Sequence, residues 1–178
     1  MSGAGGVRGV TIVFRDARAG DAATLADLGA RSFKETFGHL YTPDNLAAFL
    51  NNHSEEQWRS ELADPAIAVC IGEADGQAVA YAKLTPPGLP FEPQGRPIEL
   101  KQFYVLQDWH GSGAAQQLMT WVLDEARRRG AEELYLSVFT DNQRAQRFYS
   151  RHGFEEVGRW AFMVGTHADE DIIMRLAL

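Results

Sequence analysis

The stretch from Ile98 to Phe154 constrains the fold most, because its hydrophobic period changes repeatedly around a turn made of small residues. Ile98–Val105 is rich in β-branched and aromatic residues and reads as a strand. His110-Gly111-Ser112-Gly113-Ala114-Ala115 follows, a turn whose consecutive backbone N–H groups can converge on a phosphate at a helix N-terminus. The helix that it opens runs from Gly113 to Arg129. Leu118, Trp121, Val122 and Ala126 form its apolar face, and Arg127–Arg129 sit at the negative end of its dipole. Ala131–Phe139 is a second strand. A further helix, with Asp141 as its expected N-cap, stops at Gly153, a residue suited to a left-handed helix end. Two strands joined through such a helix lie parallel, with a right-handed crossover.

The flanking segments complete a sheet. Val10–Arg15 reads as a first strand, and Asp21 as the N-cap of a helix carrying Leu25, Leu28, Phe33 and Phe37. Thr42 caps a second helix with Pro43 at its first position and Leu46, Phe49 and Leu50 on one face. Ser54-Glu55-Glu56-Gln57 has capping-box spacing for a third, ending near Leu62. Ala66–Glu73 and Gln77–Leu84 flank Ala74-Asp75-Gly76, a hairpin signal. Thr85–Pro97 is broken by prolines and forms an irregular excursion. Glu155–Val164 and Asp171–Leu176 close the chain around a polar turn, Gly165–Glu170. The expected fold class is α/β: a single domain over residues 10–178, with a mixed central sheet of about seven strands and helices on both faces. Residues 1–9, rich in Gly and Ser, are expected to form a flexible N-terminus.

Composition narrows the function classes. A chain of 178 residues, 45% apolar and 23% charged, is suited to one buried core. Its net charge of −7 argues against nucleic-acid binding, which needs a basic face. No run approaches the roughly 20 apolar residues of a membrane helix, and no signal peptide is evident, so a cytoplasmic protein without membrane partners is expected. Cys70 is the only cysteine; it reads as a core filler, and no metal is expected.

From Asn142 to Phe154 the chain has the pattern Asn-x-x-Ala-x-x-Phe-Tyr-x-x-x-Gly-Phe, and the turn at Gly111 to Ala115 has Gly, Gly and Ala at alternate positions. A dinucleotide fingerprint would require Gly at position 116, occupied by Gln116, and a nucleotide P-loop would require Gly-Lys-Ser/Thr. Together these motifs resemble the GCN5-related N-acetyltransferase (GNAT) family, whose element order is similar over nearly the whole chain. The resemblance implies acetyl-CoA as co-substrate, with His110, Gly111, Ser112, Gly113, Ala114 and Ala115 around the pyrophosphate. It further implies that a backbone N–H near Val105 polarises the thioester carbonyl, that Asn142 bonds the pantetheine arm, that Ala145 lets the arm pass and that Tyr149 approaches the sulfur. His110 is a departure, since the family usually has Arg or Gln there.

A departing thiolate needs a proton, and a phenol of ordinary pKa about 10 can supply it, which suits Tyr149; the alternative is that Phe148 and Tyr149 only pack. An alkylammonium must lose a proton before it attacks. Glu99 is the expected base, because many members of the family carry a carboxylate near this strand position. The plainer reading pairs Glu99 with Lys101 on one face, which simple alternation would share with Phe103 and Val105. Glu35 or Tyr41 could contribute instead. With Phe33, these two are the expected acceptor wall, and the region resembles the PaiA-type spermidine/spermine acetyltransferase branch. A small polyamine-like amine is therefore the expected acceptor. A peptide α-amine, or a non-catalytic acyl-CoA-binding role, is the alternative, and a homodimer is compatible with the family.

Overall fold

In the computed structural model, which describes residues 10–51 and 53–178, β-branched and aromatic runs form one seven-stranded sheet in the order β1-β2-β3-β4-β5-β7-β6. The strands are β1 (Val13–Asp16), β2 (Ala68–Ala74), β3 (Gln77–Thr85), β4 (Pro97–Val105), β5 (Glu133–Phe139), β6 (Glu155–Val164) and β7 (His167–Ala177). Every neighbouring pair is antiparallel except β4 and β5, the pair joined through a helix. The helices are α1 (Ala22–Phe37), α2 (Pro43–Asn51), α3 (Glu55–Leu62), α4 (Ala114–Arg128) and α5 (Gln143–Arg151). The stretch 1–9 lies outside the described residues.

Local chemistry explains most boundaries. Thr42 Oγ1 accepts from Asn45 N at 3.2 Å, and Ser54 Oγ from Gln57 N at 3.2 Å, so both expected caps form. Asp75 (φ 50°) and Gly76 (φ 76°) make the β2–β3 turn. Three expectations change. Asp21 does not cap α1; its carboxylate takes a two-pronged bond from Arg15, at 2.8 Å to each oxygen, which holds its pKa below the usual carboxylate range. Asn142, rather than Asp141, caps α5 by accepting from Ala145 N at 3.2 Å. The polar turn before β7 is only Gly165-Thr166, and the strand begins at His167, so Asp169 and Asp171 lie in the sheet.

Two irregularities of β4 position the site. Its ladder with β5 has three pairs, ending at Glu99↔Tyr135, beyond which the strands separate. Alternate backbone groups of Leu100 to Val105 that would have bonded β5 therefore face a gap. Against β3, Leu84 pairs with Leu100 and Lys83 with Gln102, leaving Lys101 as the extra residue of a bulge. The bulge reverses the alternation. Glu99 shares a face with Gln102 and Tyr104, not with Phe103 and Val105. That face packs on α1 and α3, where Trp58 lies edge-on to Tyr81 at 5.7 Å. The opposite face carries Phe103, 5.6 Å from Phe148 and 6.1 Å from Tyr149 of α5. Cys70 is fully buried in the core.

Candidate active site

The gap between β4 and β5 opens a cavity of about 870 Å³ that is lined from both faces of the sheet. One end lies at the α4 N-terminus. Gly111 (φ 78°) and Gly113 (φ 87°) both adopt the left-handed region, which other residues rarely enter, and this turns the chain so that Ala115 and Gln116, in the first turn of α4, are presented at the cavity. Ser112 and Ala114 do not line it. The Ser112 hydroxyl donates to Trp109 O at 2.6 Å and accepts from Ala114 N at 3.3 Å, bracing the turn from behind.

The His110 ring is turned inward. Its Nε2–H donates to Val105 O at 2.9 Å, which leaves Nδ1 as the acceptor for the Arg144 guanidinium of α5. Arg144 thereby becomes the cation at the cradle, a role that no local sequence pattern reveals from 34 residues away. Asn142, Ala145 and Tyr149 line the cavity beyond it. Since Asn142 Oδ1 is used in the cap, its amide N–H groups remain for a ligand. Tyr149 is 8% exposed, and burial pushes its phenol above the ordinary range, so it stays protonated and able to donate.

The other end lies on the opposite face, beneath α1 and α2. Phe33 stacks on Phe49 at 3.9 Å and on Tyr41 at 5.7 Å. Asn45 Oδ1 accepts from Thr166 N at 3.0 Å and from its hydroxyl at 3.2 Å, tying α2 to the β6–β7 turn. Glu35 stands at the rim, where Oε2 accepts from Gln107 N at 3.0 Å, linking α1 to the end of β4. Phe33, Glu35 and Tyr41, separated from the cradle in sequence, thus line the same cavity.

Glu99 does not line it. Its carboxylate is 2% exposed, accepts from Gly88 N at 3.1 Å and meets Lys101 Nζ at 3.4 Å, so it anchors the proline-rich excursion instead of facing the cavity. The expectation of Glu99 as base is not met by this geometry: it shares the face of Gln102 and Tyr104 but lies before the point where β4 and β5 separate, and the excursion covers it. Besides Glu35 at the rim, the carboxylates in the cavity are on β7. Asp169 accepts from the Tyr41 hydroxyl and from His167 Nε2 at 2.9 Å. Burial pushes Asp171 up to about 6, the Ser137 hydroxyl opposing and Asp169 adding to the shift. A carboxyl raised from 3.8 to about 6 contributes stability that is present below about 4 and lost as the pH rises through about 6. We expect Asp171→Asn to melt at a higher temperature than the parent at pH 8, by several degrees, with the gap closing toward pH 4. Equal melting temperatures across that range would contradict the raised value.

The family model described as acetyltransferase (GNAT) family matches residues 31–154, most of the chain. The chain belongs to this family. An uncharacterised N-acetyltransferase of Mycobacterium tuberculosis is 37% identical to this GNAT protein over 155 residues, 86% of this chain and 96% of that one. Streptothricin acetyltransferase of Streptomyces lavendulae is 28% identical over 84% of this chain and 85% of its own length. Among solved structures, the PaiA N-acetyltransferase of Thermoplasma acidophilum in complex with coenzyme A superposes with a TM-score of 0.77 over 94% of this chain and 99% of that one, at 19% identity. The GNAT protein described here is an acetyl-CoA-dependent N-acetyltransferase. The left-handed glycines, the free N–H groups of α4, the gap in the sheet and the available Asn142 amide fit that co-substrate. Among the described residues there is no cluster of metal-ligating side chains, and no helix is long and apolar enough to cross a membrane.

Proposed function

We propose that this GNAT enzyme acetylates a small polyamine-like amine, which attacks the thioester directly. The carrying observation is the continuity of the cavity, with an anion cradle at one end and an acidic, aromatic chamber at the other. Acetyl-CoA supplies the activated acetyl group. The turn from His110 to Ala115 and Arg144 hold its phosphates, Asn142 and Ala145 line its arm, and backbone groups near Val105 face the gap where a carbonyl can be polarised. Tyr149 donates a proton toward the departing sulfur.

In the chamber, Phe33, Phe37, Tyr41, Phe139 and Phe162 supply π faces, and Asp169 and Asp171 supply charge. Both suit an alkylammonium chain, through cation–π contact and charge-assisted hydrogen bonds. The net charge of −7 favours the approach of a cation.

The test compares spermidine with a short peptide bearing a free α-amine, under identical conditions. Spermidine should react faster, and its KM should climb with added salt, since attraction outside the chamber is screened over roughly 8 Å at physiological ionic strength. Faster acetylation of the peptide would overturn the polyamine assignment and leave the acetyltransferase activity in place.

A further inference from the structure

The three acceptor groups at the chamber floor come from two strands that the gap separates. Asp169 and Asp171 alternate on β7, and the register pairs Asp171 with Phe139 and Asp169 with Phe162, so all four share one face. Through Glu99↔Tyr135 and the bulge, Gln102 and Tyr104 of β4 belong to that same face. Gln102 is 9% exposed and lines the cavity, yet its Oε1 is buried without a hydrogen-bond partner among the described residues. An orphaned buried carbonyl oxygen has given up its water without a replacement, and a ligand that donates to it removes that cost. The Asp169 oxygens are already occupied by Tyr41 and His167, which holds the side chain in place. Asp171 takes one donor, the Ser137 hydroxyl. What remains open is the Gln102 carbonyl oxygen, on the same face as the Asp171 carboxylate, and an ammonium, with three donors and no acceptor, can serve both.

We propose that Asp171 is the proton acceptor for the incoming amine, and that Gln102 and the Asp169 side chain held beside it on β7 complete an ammonium subsite. This deepens the function proposed above and rests on it. The group nitrogen enters as an ammonium bonded to Asp171 and Gln102. One N–H proton passes to the Asp171 carboxylate, freeing the lone pair. That pair forms the C–N bond at the acetyl carbon, the C–S bond breaks, and its electrons leave on sulfur. The second N–H proton leaves the product nitrogen and restores Tyr149, which has given its own proton to sulfur, so that CoA leaves as a thiol and Asp171 returns one proton to solvent.

The ionisable surroundings favour such an exchange. Tyr104 from β4 and Tyr41 from the α1–α2 connection both have phenols pushed up, first by burial, so neither competes as a base. Asp169 and His167 flank Asp171 on its own strand, and Glu35 and Lys101 stand elsewhere on the cavity wall or beside it. β5 and β6 present Ser137, Phe139, Trp160 and Phe162, which do not titrate in this range. A carboxyl poised near 6 is mostly ionised at neutral pH, yet basic enough to take a proton in passing.

The experiment measures kcat/KM against pH, with whichever amine in a panel the parent acetylates fastest, for the parent, Asp171→Asn, Gln102→Leu and Glu99→Gln. Binding of spermidine is followed separately by calorimetry, and the melting shift with CoA confirms that each variant is folded with an intact cradle. The parent should show an acidic limb near pH 6. Asp171→Asn should lose that limb and about 100-fold or more of kcat/KM at pH 7, regaining part near pH 10 where the amine deprotonates unaided. Its CoA shift should be unchanged. Gln102→Leu should raise KM and weaken spermidine binding while keeping the limb. A parent-like profile in Asp171→Asn, or transfer of the loss to Glu99→Gln, would overturn the inference even where spermidine proves the best substrate. A peptide preference in the parent would overturn the polyamine reading alone, and a parent that binds no amine would overturn both.

Discussion

Tyr149→Phe should retain the affinity for acetyl-CoA and lose about 10- to 1000-fold in turnover. The substitution removes one hydroxyl from a ring that packs 5.6 Å from Phe154 and 6.1 Å from Phe103, so the packing survives. That hydroxyl makes no hydrogen bond to protein among the described residues, and stability should barely change. The chemical cost falls instead on the proton for the departing sulfur, because burial keeps the phenol protonated at any working pH. Single-turnover rates, with chemistry shown to be limiting, provide the measurement. An unchanged rate would make Tyr149 a packing aromatic only.

Gly113→Val should abolish the rise in melting temperature that CoA gives the parent protein. A ligand present at about 100 times its Kd stabilises a fold by roughly 2.7 kcal/mol, which corresponds to about 5–10 °C in a chain of this size. Gly113 has φ 87°, where an L-residue costs about 1–2 kcal/mol and a β-branched one more. A Cβ there meets no protein atom within 4 Å, so the protein itself leaves room for a side chain. The room lies at the cradle, and the variant loses both the backbone turn and the space for phosphate. A folded variant with an undiminished shift would show that the phosphates bind elsewhere.

Signals confined to a few neighbouring residues were legible in the sequence. Thr42 and Ser54 cap their helices because a short hydroxyl reaches an N–H three residues on, and Gly153 takes φ 93° at the end of α5. The order of strands and helices followed from residue type, periodicity, caps and turn residues together. The misreadings came where distant parts of the chain decide the outcome. The bulge at Lys101 depends on how β4 meets β3, and its one-residue slip parts Glu99 from Phe103 and Val105, while the distant Gly88 N–H holds its carboxylate away from the cavity. His167 to Glu170 looked like part of a turn because its polarity suggests solvent; in the structure these residues begin β7, and Asp169, like Asp171, faces the cavity. Arg144 became visible only once His110 had folded against it.

The gap between β4 and β5 also bears on the order of events in turnover. A nucleotide held at the α4 end lies on one side of the sheet, and the aromatic, acidic chamber beneath α2, the acceptor site proposed above, lies on the other. Neither occupant has to pass the other to arrive or to leave. The enzyme can therefore hold both reactants in a ternary complex, and it has no need to park the acetyl group on a side chain between visits. Leaving the ladder unpaired after Glu99↔Tyr135 gives up sheet hydrogen bonds, and what the fold obtains in exchange is a meeting point with two approaches.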